Sequence, residues 1–398
     1  MSLLPEDKQT IFHTAIVGGG AAGLFCAGSF DANKIVLEAL EKPALKVSVS
    51  GGGKCNFSNR FVSPADYRCA QKHFCKSALA AFKADDFIRL LDQARIPLEE
   101  REQGRLFTKS SARDIVHLLV KRAKEHHTRL ATNVRVLDIQ QMNGVFCLRT
   151  SAGTIQAQHV VLATGGISYP ELGGNSFITK MAQQENWPFV EQQPALCGFT
   201  LPKNLRTVFS TLAGNSLPAR VSCEKHTETD ALLFTHDGFS GPAILQTSLF
   251  WQPGQQVEID FLPSQNVSRI FAAHKNSSRL FSQVIADYFP TKKIAKILLG
   301  TQDRDLANAS RAELDKAARL IHHFTCIPVG TSGYTKAEVT AGGLDTRGIN
   351  PSTMEVRQTP GMYVIGEALD VTGRMGGFNL HWAWSSAYVA AQHLKNKF

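Results

Sequence analysis

The chain has 398 residues, more than one domain usually holds, and its 43% hydrophobic and 19% charged residues exclude a disordered or fibrous protein and imply a large core. No apolar run is long enough to cross a bilayer, and the N-terminus lacks a signal peptide's basic and apolar regions, so a cytoplasmic location is expected. Eight cysteines without a C-x-x-C pair or zinc-ligand spacing predict reduced thiols and no metal site, while a formal net charge of +9 keeps an anionic partner in view.

Taken in order, the first element is a short apolar strand, Thr14–Val17, which meets a glycine turn and continues as a helix. Gly18, Gly20 and Gly23, with Ala22 between, match G-x-G-x-x-G: a tight turn, a close backbone approach to a pyrophosphate, and close helix–strand packing. Ile35–Leu37 reads as the second strand, and Glu38 ends it where an acid is wanted for ribose hydroxyls. Lys46 and the run Ser50-Gly51-Gly52-Gly53-Lys54-Cys55-Asn56 form a glycine-rich loop that a flat ligand can approach. Phe74 to Ala94 has helical periodicity, and Ser110 or Ser111 is the N-cap of the next helix.

Val134–Ile139 and Val145–Thr150 alternate around Asn143-Gly144, the signature of a β-hairpin. His159–Ala163 is a buried strand that ends in a second glycine turn at Thr164, Gly165 and Gly166. From about Gln192 short strands, prolines and turns take over, and helical spacing follows from about Ser264 to His323. Strand character returns near Ala337–Gly343, and Gly361–Ile365 runs into Gly366 and Glu367. The expected division is a nucleotide-binding domain in two parts, 1–191 and 338–398, around an insert with a β-rich part at 192–263, a helical subdomain at 264–323 and a return strand at 324–337. Two basic clusters stand out: Lys121, Arg122, Lys124, His126, His127 and Arg129, and then Lys292, Lys293 and Lys296. A solvated helix face accounts for the first, so a nucleic-acid partner is open but not favoured.

These motifs, in this order and over nearly the whole chain, resemble the YhiN/BaiN-type flavoproteins, NAD(P)/FAD-dependent oxidoreductases of the glutathione-reductase-like superfamily. The resemblance rests on Ile16–Leu24, Ser50–Asn56, Gly104–Phe107, Ala163–Pro170, Leu233–Pro242, Gly366–Asp370 and Gly376–Leu380. It implies an α/β fold: a discontinuous Rossmann-like FAD domain with an inserted β-barrel-like domain and a helical part. It also implies that Gly18, Gly20 and Gly23 hold the pyrophosphate of FAD and Glu38 the adenosine ribose. Lys46, Gly52, Gly53, Cys55 and Asn56 then lie near the diphosphate and flavin. Thr164 and Gly165 line the adenosine side, Gly366 and Glu367 face the ribityl chain or pyrophosphate with Asp370 as second choice, and Gly377, Phe378, Asn379 and Leu380 meet the flavin's pyrimidine end. Two departures are visible: Gly173–Ser176 is shorter than the family's stretch and lacks its Asp, and Lys54 replaces an Arg fork with a point charge.

The flavin carries the redox chemistry, and the chain has no second nicotinamide fingerprint, so NAD(P)H is expected only as a transient electron donor. Candidates for thiol or acid–base chemistry are Cys55, Tyr169 and His236, the last beside Asp237; Trp382 and Trp384 read as packing. The leading expectation is an FAD-dependent oxidoreductase of a small molecule, with reduction of an activated C=C bond foremost. Small-amine oxidation and an RNA-associated flavoprotein are the alternatives.

Overall fold

The computed structural model describes residues 11–397. The chain divides into two units, one joining the chain up to Gln193 with the chain from Val339 onward, the other spanning Pro194–Glu338.

The first unit is built on a seven-stranded sheet. Its strands are β1 (Ile11–Val17) and β2 (Lys34–Leu37), then, beyond shorter elements, β7 (Thr128–Ala131), β8 (Val136–Met142), β9 (Val145–Thr150), β10 (Gly153–Leu162) and the late strand Met362–Val364. The spatial order is β7-β2-β1-β10-β9-β8, and Met362–Val364 pairs in parallel with the C-terminal half of β10. β1 runs parallel to both β2 and β10, with Val17 opposite Leu37 and Leu162. A strand with parallel neighbours and helices over its faces must be apolar on both sides, which is why β1 is buried at every position after Ile11. The N-terminal half of β10 pairs antiparallel with β9 instead, and β8 and β9 turn at Asn143 and Gly144, both with positive φ, as an Asn-Gly hairpin requires.

Helix α1 (Ala21–Ala27) returns from β1 and is buried at six of its seven positions; it packs on the C-terminal helix Phe378–Lys395. Trp382 and Trp384 on that helix are buried, and their indoles donate to Gly366 O at 3.1 Å and Phe57 O at 2.9 Å, so they are core residues. The helical stretch after Phe74 splits into Lys76–Ala81 and Ala84–Gln93, because the Asp86 carboxylate accepts the Lys83 N–H at 2.7 Å and starts a new helix there. Ser111 caps the helix Ala112–Glu125, accepting from Arg113 N at 3.2 Å.

A smaller antiparallel sheet in this unit consists of β3 (Asn56–Asn59), β5 (Leu98–Arg101) and β6 (Arg105–Thr108), in the order β3-β6-β5. Between β3 and β5, β4 (Tyr67–Arg68) pairs with Thr372–Gly373.

The second unit carries its own seven-stranded antiparallel sheet, whose longest pair is Ser216–Cys223 with His226–Phe234. Phe199, Phe234, Phe239 and Phe261 form its centre, and one core joins them to Phe271, Phe281, Ile294 and Ile321 from the helices that follow.

Candidate cofactor site

Three adjacent parallel strands release the chain at the same end of the large sheet: Gly18 follows β1, Ala163 to Gly165 follow β10, and Gly366 comes two residues after Val364. Ala163 N donates to Val17 O at 2.9 Å and Ile365 N to Leu162 O at 3.1 Å, so the three exits stay in register. The carboxyl ends of parallel strands are where an open α/β sheet holds its ligand, because the connections diverge there and leave a crevice.

The three fingerprint glycines differ in what a side chain would meet. At Gly18, with φ of 104°, a Cβ would overlap Ala163 O, and at Gly23 it would overlap Gly18 O. At Gly20 it would meet nothing within 4 Å. The first and third glycines are therefore demanded by the turn and by helix–strand contact, while the second leaves bare backbone facing open space. That pattern fits a pyrophosphate lying against Gly20. Gly52 and Gly53 are equally open, and Thr164 Oγ1 nearby in the fold of the strand end is buried without a hydrogen-bond partner.

Glu38 closes the turn from the β2 side. Its carboxylate accepts Gly19 N and Leu40 N, each at 2.8 Å, so it holds the glycine turn in place with one lone pair on each oxygen. Helix α2 (Leu45–Gly53) breaks at Ser50, Gly51 and Gly52, and its Lys46 lies 3.3 Å from the Glu367 carboxylate. The other Glu367 oxygen accepts Thr340 N at 2.8 Å. Thr340 Oγ1 in turn accepts Ser168 N at 3.0 Å, which ties the segment after β10 to the strand Val339–Leu344. The shortened stretch after Pro170 has its own anchor: Asn175 donates to Thr164 O at 3.1 Å and Gly173 O at 2.8 Å.

The glycine loop and the start of the C-terminal helix meet over the small sheet. A Cβ on Gly51 would come within 3.0 Å of the Phe107 ring, one on Gly377 would overlap Ser58 O, and one on Gly376 would sit 3.5 Å from the Arg105 stem. Asn56 joins the two segments: its amide oxygen accepts Gly377 N at 3.0 Å and its nitrogen donates to Ser58 O and Leu106 O, each at 3.0 Å. Asn379 bonds Gly373 through both its backbone groups, at 2.8 and 2.9 Å. The resemblance places Asn56 and Asn379 near a flavin. Their side-chain amides hold the helix start, and a Cβ on Gly377 would overlap Ser58 O. Phe378 is buried and its carbonyl accepts the Tyr67 hydroxyl at 2.9 Å, while Leu380 packs on the core. What remains available at this helix start is the backbone N–H of its first turn, which no side chain caps.

Of the three chemical candidates, Cys55 is fully buried, and burial pushes its thiol up to about 12, which disfavours the thiolate form. His236 and Asp237 are exposed in the turn between His226–Phe234 and Gly238–Ser240 of the second unit. Tyr169 is half-buried, directly after the Ser168 that Thr340 anchors. Asp370 is buried, accepts Ala70 N at 2.8 Å, and burial raises its pKa. Three of the six residues of the first basic cluster have partners within the chain: Lys121 pairs with Glu125 at 3.7 Å, Arg122 donates to Gly28 O at 2.8 Å, and His126 pairs with Asp31 at 2.8 Å, while Lys124, His127 and Arg129 are exposed. Thr340 stands in no sequence motif, and Arg105 stands in Gly104–Phe107, a run whose sequence alone points to no role.

A parallel-sheet crevice with a bare-backbone turn, closed by an acid at the end of the second strand, defines a dinucleotide-binding protein of the Rossmann type. The chain belongs to the HI0933-like family: the model described as the HI0933-like protein Rossmann domain matches residues 12–393. The chain is 37% identical over 391 residues to the "Ribosomal RNA dihydrouridine synthase" of Escherichia coli K12, covering 96% of this chain and 98% of that one. It is 27% identical to the "3-dehydro-bile acid delta(4,6)-reductase" of Clostridium scindens, covering 95% and 97% of the two chains. A quinol-fumarate reductase structure shares the fold at a TM-score of 0.50 and 15% identity, over 98% of this chain and 71% of that one. Among the described residues no helix is long and apolar enough to cross a membrane.

Proposed function

We propose that the enzyme reduces the C5=C6 bond of a uridine in ribosomal RNA. The observation that carries this reading is the 37% identity, over nearly the full length of both chains, with a protein named ribosomal RNA dihydrouridine synthase. The bile-acid reductase supports the same chemistry, since a uracil and a 3-oxo-Δ4,6 steroid both present a C=C bond conjugated to a carbonyl. The net charge of +9 suits a polyanionic substrate.

On this reading the Gly18–Gly23 turn holds the pyrophosphate of FAD, Glu38 offers its remaining lone pairs to the ribose, and Thr164 with Gly165 lines the adenosine side. Lys46 and Glu367 stand by the diphosphate and ribityl chain, and the Gly52–Gly53 loop and the first turn of the C-terminal helix flank the ring. When bound, FAD supplies a hydride equivalent to one carbon of the double bond, recharged by NAD(P)H. The other carbon needs a proton. Buried Cys55 cannot reach a macromolecule, and Tyr169, half-buried beside the strand ends, is the acid this reading assigns. The reaction belongs in the cytoplasm, where ribosomal RNA is made and used.

The test is to incubate the yellow, FAD-loaded protein anaerobically with NADH or NADPH and with ribosomal RNA from a strain lacking the gene, then digest the RNA and measure dihydrouridine by mass spectrometry. New dihydrouridine is the expected result. Turnover of an enone or an amine with none formed in RNA would replace this reading by one of the small-molecule alternatives.

A further inference from the structure

Phe61, just beyond β3, is the most exposed large hydrophobic side chain among the described residues, at 70%. Its position is nevertheless built. A Cβ on Gly104 would lie 2.7 Å from its ring, so the ring rests against bare backbone. Phe61 N donates to Asn59 Oδ1 at 3.0 Å and Arg60 N to Gly104 O at 2.8 Å, which fixes this strand end against β6.

The next residue after Gly104 is Arg105, paired across the sheet with Asn59, and its aliphatic stem lies over Gly376 at the approach to the C-terminal helix. Three other cations in or beside this sheet are paired with carboxylates. Arg60 is held by Asp85 at 2.8 Å and Glu100 at 3.0 Å, while Arg101 and Lys54 share Glu99. Arg105 donates to Glu102 O at 3.1 Å, and among the described residues no carboxylate pairs with it.

We propose that Phe61 and Arg105 form a nucleobase platform beside the candidate cofactor site, gripping the single-stranded RNA around the target uridine. An exposed aromatic ring stacks on any base, and an unneutralised guanidinium stacks or donates to base and phosphate oxygens. A purely apolar small molecule would use the ring and leave the cation without a partner. The proposal rests on the RNA reading above and adds to it where the RNA is held.

The experiment uses full-length, FAD-loaded protein and a fluorescein-labelled single-stranded RNA containing uridine, with affinity read by anisotropy at two salt concentrations and dihydrouridine formation measured in parallel. Phe61→Ala should weaken binding about tenfold at both salts, and Phe61→Trp should restore it. Arg105→Met should weaken binding and flatten the dependence of log K on log salt by about 0.7. FAD content and melting temperature should match wild type. If wild type binds RNA and forms dihydrouridine while Phe61→Ala and Arg105→Met bind as tightly, the platform is wrong and the RNA reading stands. If wild type itself neither binds RNA nor forms dihydrouridine, the RNA reading falls and takes the platform with it. Should Phe61→Ala lose FAD, Arg105→Met and Phe61→Trp decide the matter.

Discussion

The Lys46 ammonium lies 3.3 Å from the Glu367 carboxylate, joining two residues 321 positions apart across the candidate cofactor site. About a quarter of each side chain is exposed, so solvent screens the pair and its net contribution to stability is about 1 kcal/mol or less. Its larger consequence is electrostatic. Lys46→Met would leave Glu367 alone beside a diphosphate, whereas Glu367→Gln removes a negative charge and can keep the bond from Thr340 N. Titration of apoprotein with FAD should show roughly tenfold weaker binding for Lys46→Met and a smaller change for Glu367→Gln. The reverse order would place the diphosphate elsewhere.

Gly18 and Gly20 separate folding from binding. Gly18→Ala puts a side chain into Ala163 O at a φ of 104° and should destabilise the apoprotein by about 2 kcal/mol or more, measured by urea unfolding. Gly20→Ala enters open space and should leave apoprotein stability within about 0.5 kcal/mol while weakening FAD binding. A Gly20→Ala protein with wild-type FAD affinity would mean that no ligand approaches this backbone.

Gly377→Val acts on the protein before it acts on any cofactor. Its φ is 95°, and a Cβ there overlaps Ser58 O, so β3 and the helix start must separate. Apoprotein melting should fall by several degrees, with FAD loss following from it. A variant that melts as wild type and fails only to bind FAD would show that Ser58 can yield and that the flavin itself fills the space.

His381 sets an acid limit on the fold. It is fully buried, its Nδ1 lies 2.9 Å from Ser58 Oγ, and burial lowers its pKa from 6.5 to about 4. The unfolded chain therefore binds this proton first as pH falls. The stability that the neutral ring contributes is complete above about pH 6.5 and is lost between there and pH 4, up to about 3 kcal/mol. His159, lowered to about 4 chiefly by burial, adds a second loss in the same window. Urea unfolding of His381→Gln at pH 7.5 and 5 should show a shallower pH dependence than wild type. Equal slopes would mean that the ring titrates in the native protein as it does in the unfolded chain.

Local patterns carried much of this protein in its sequence. Gly18, Gly20 and Gly23 lie within six residues, and their steric demands arise in one turn and one helix start, so spacing alone exposed them. Asn143-Gly144 fixed a hairpin register for the same reason. The family and the α/β class followed from the order of such short motifs. Tertiary structure alone decided which side chains point where. Asn56 and Asn379 lie in glycine-flanked runs that suit a ligand, yet their amides bond Gly377 and Gly373, contacts that no local pattern records. Lys46 with Glu367, Thr340 with Ser168, and Arg105 over Gly376 join segments far apart in the chain. No periodicity records such pairs, since they exist only after the C-terminal segment has packed onto the strands laid down by the first.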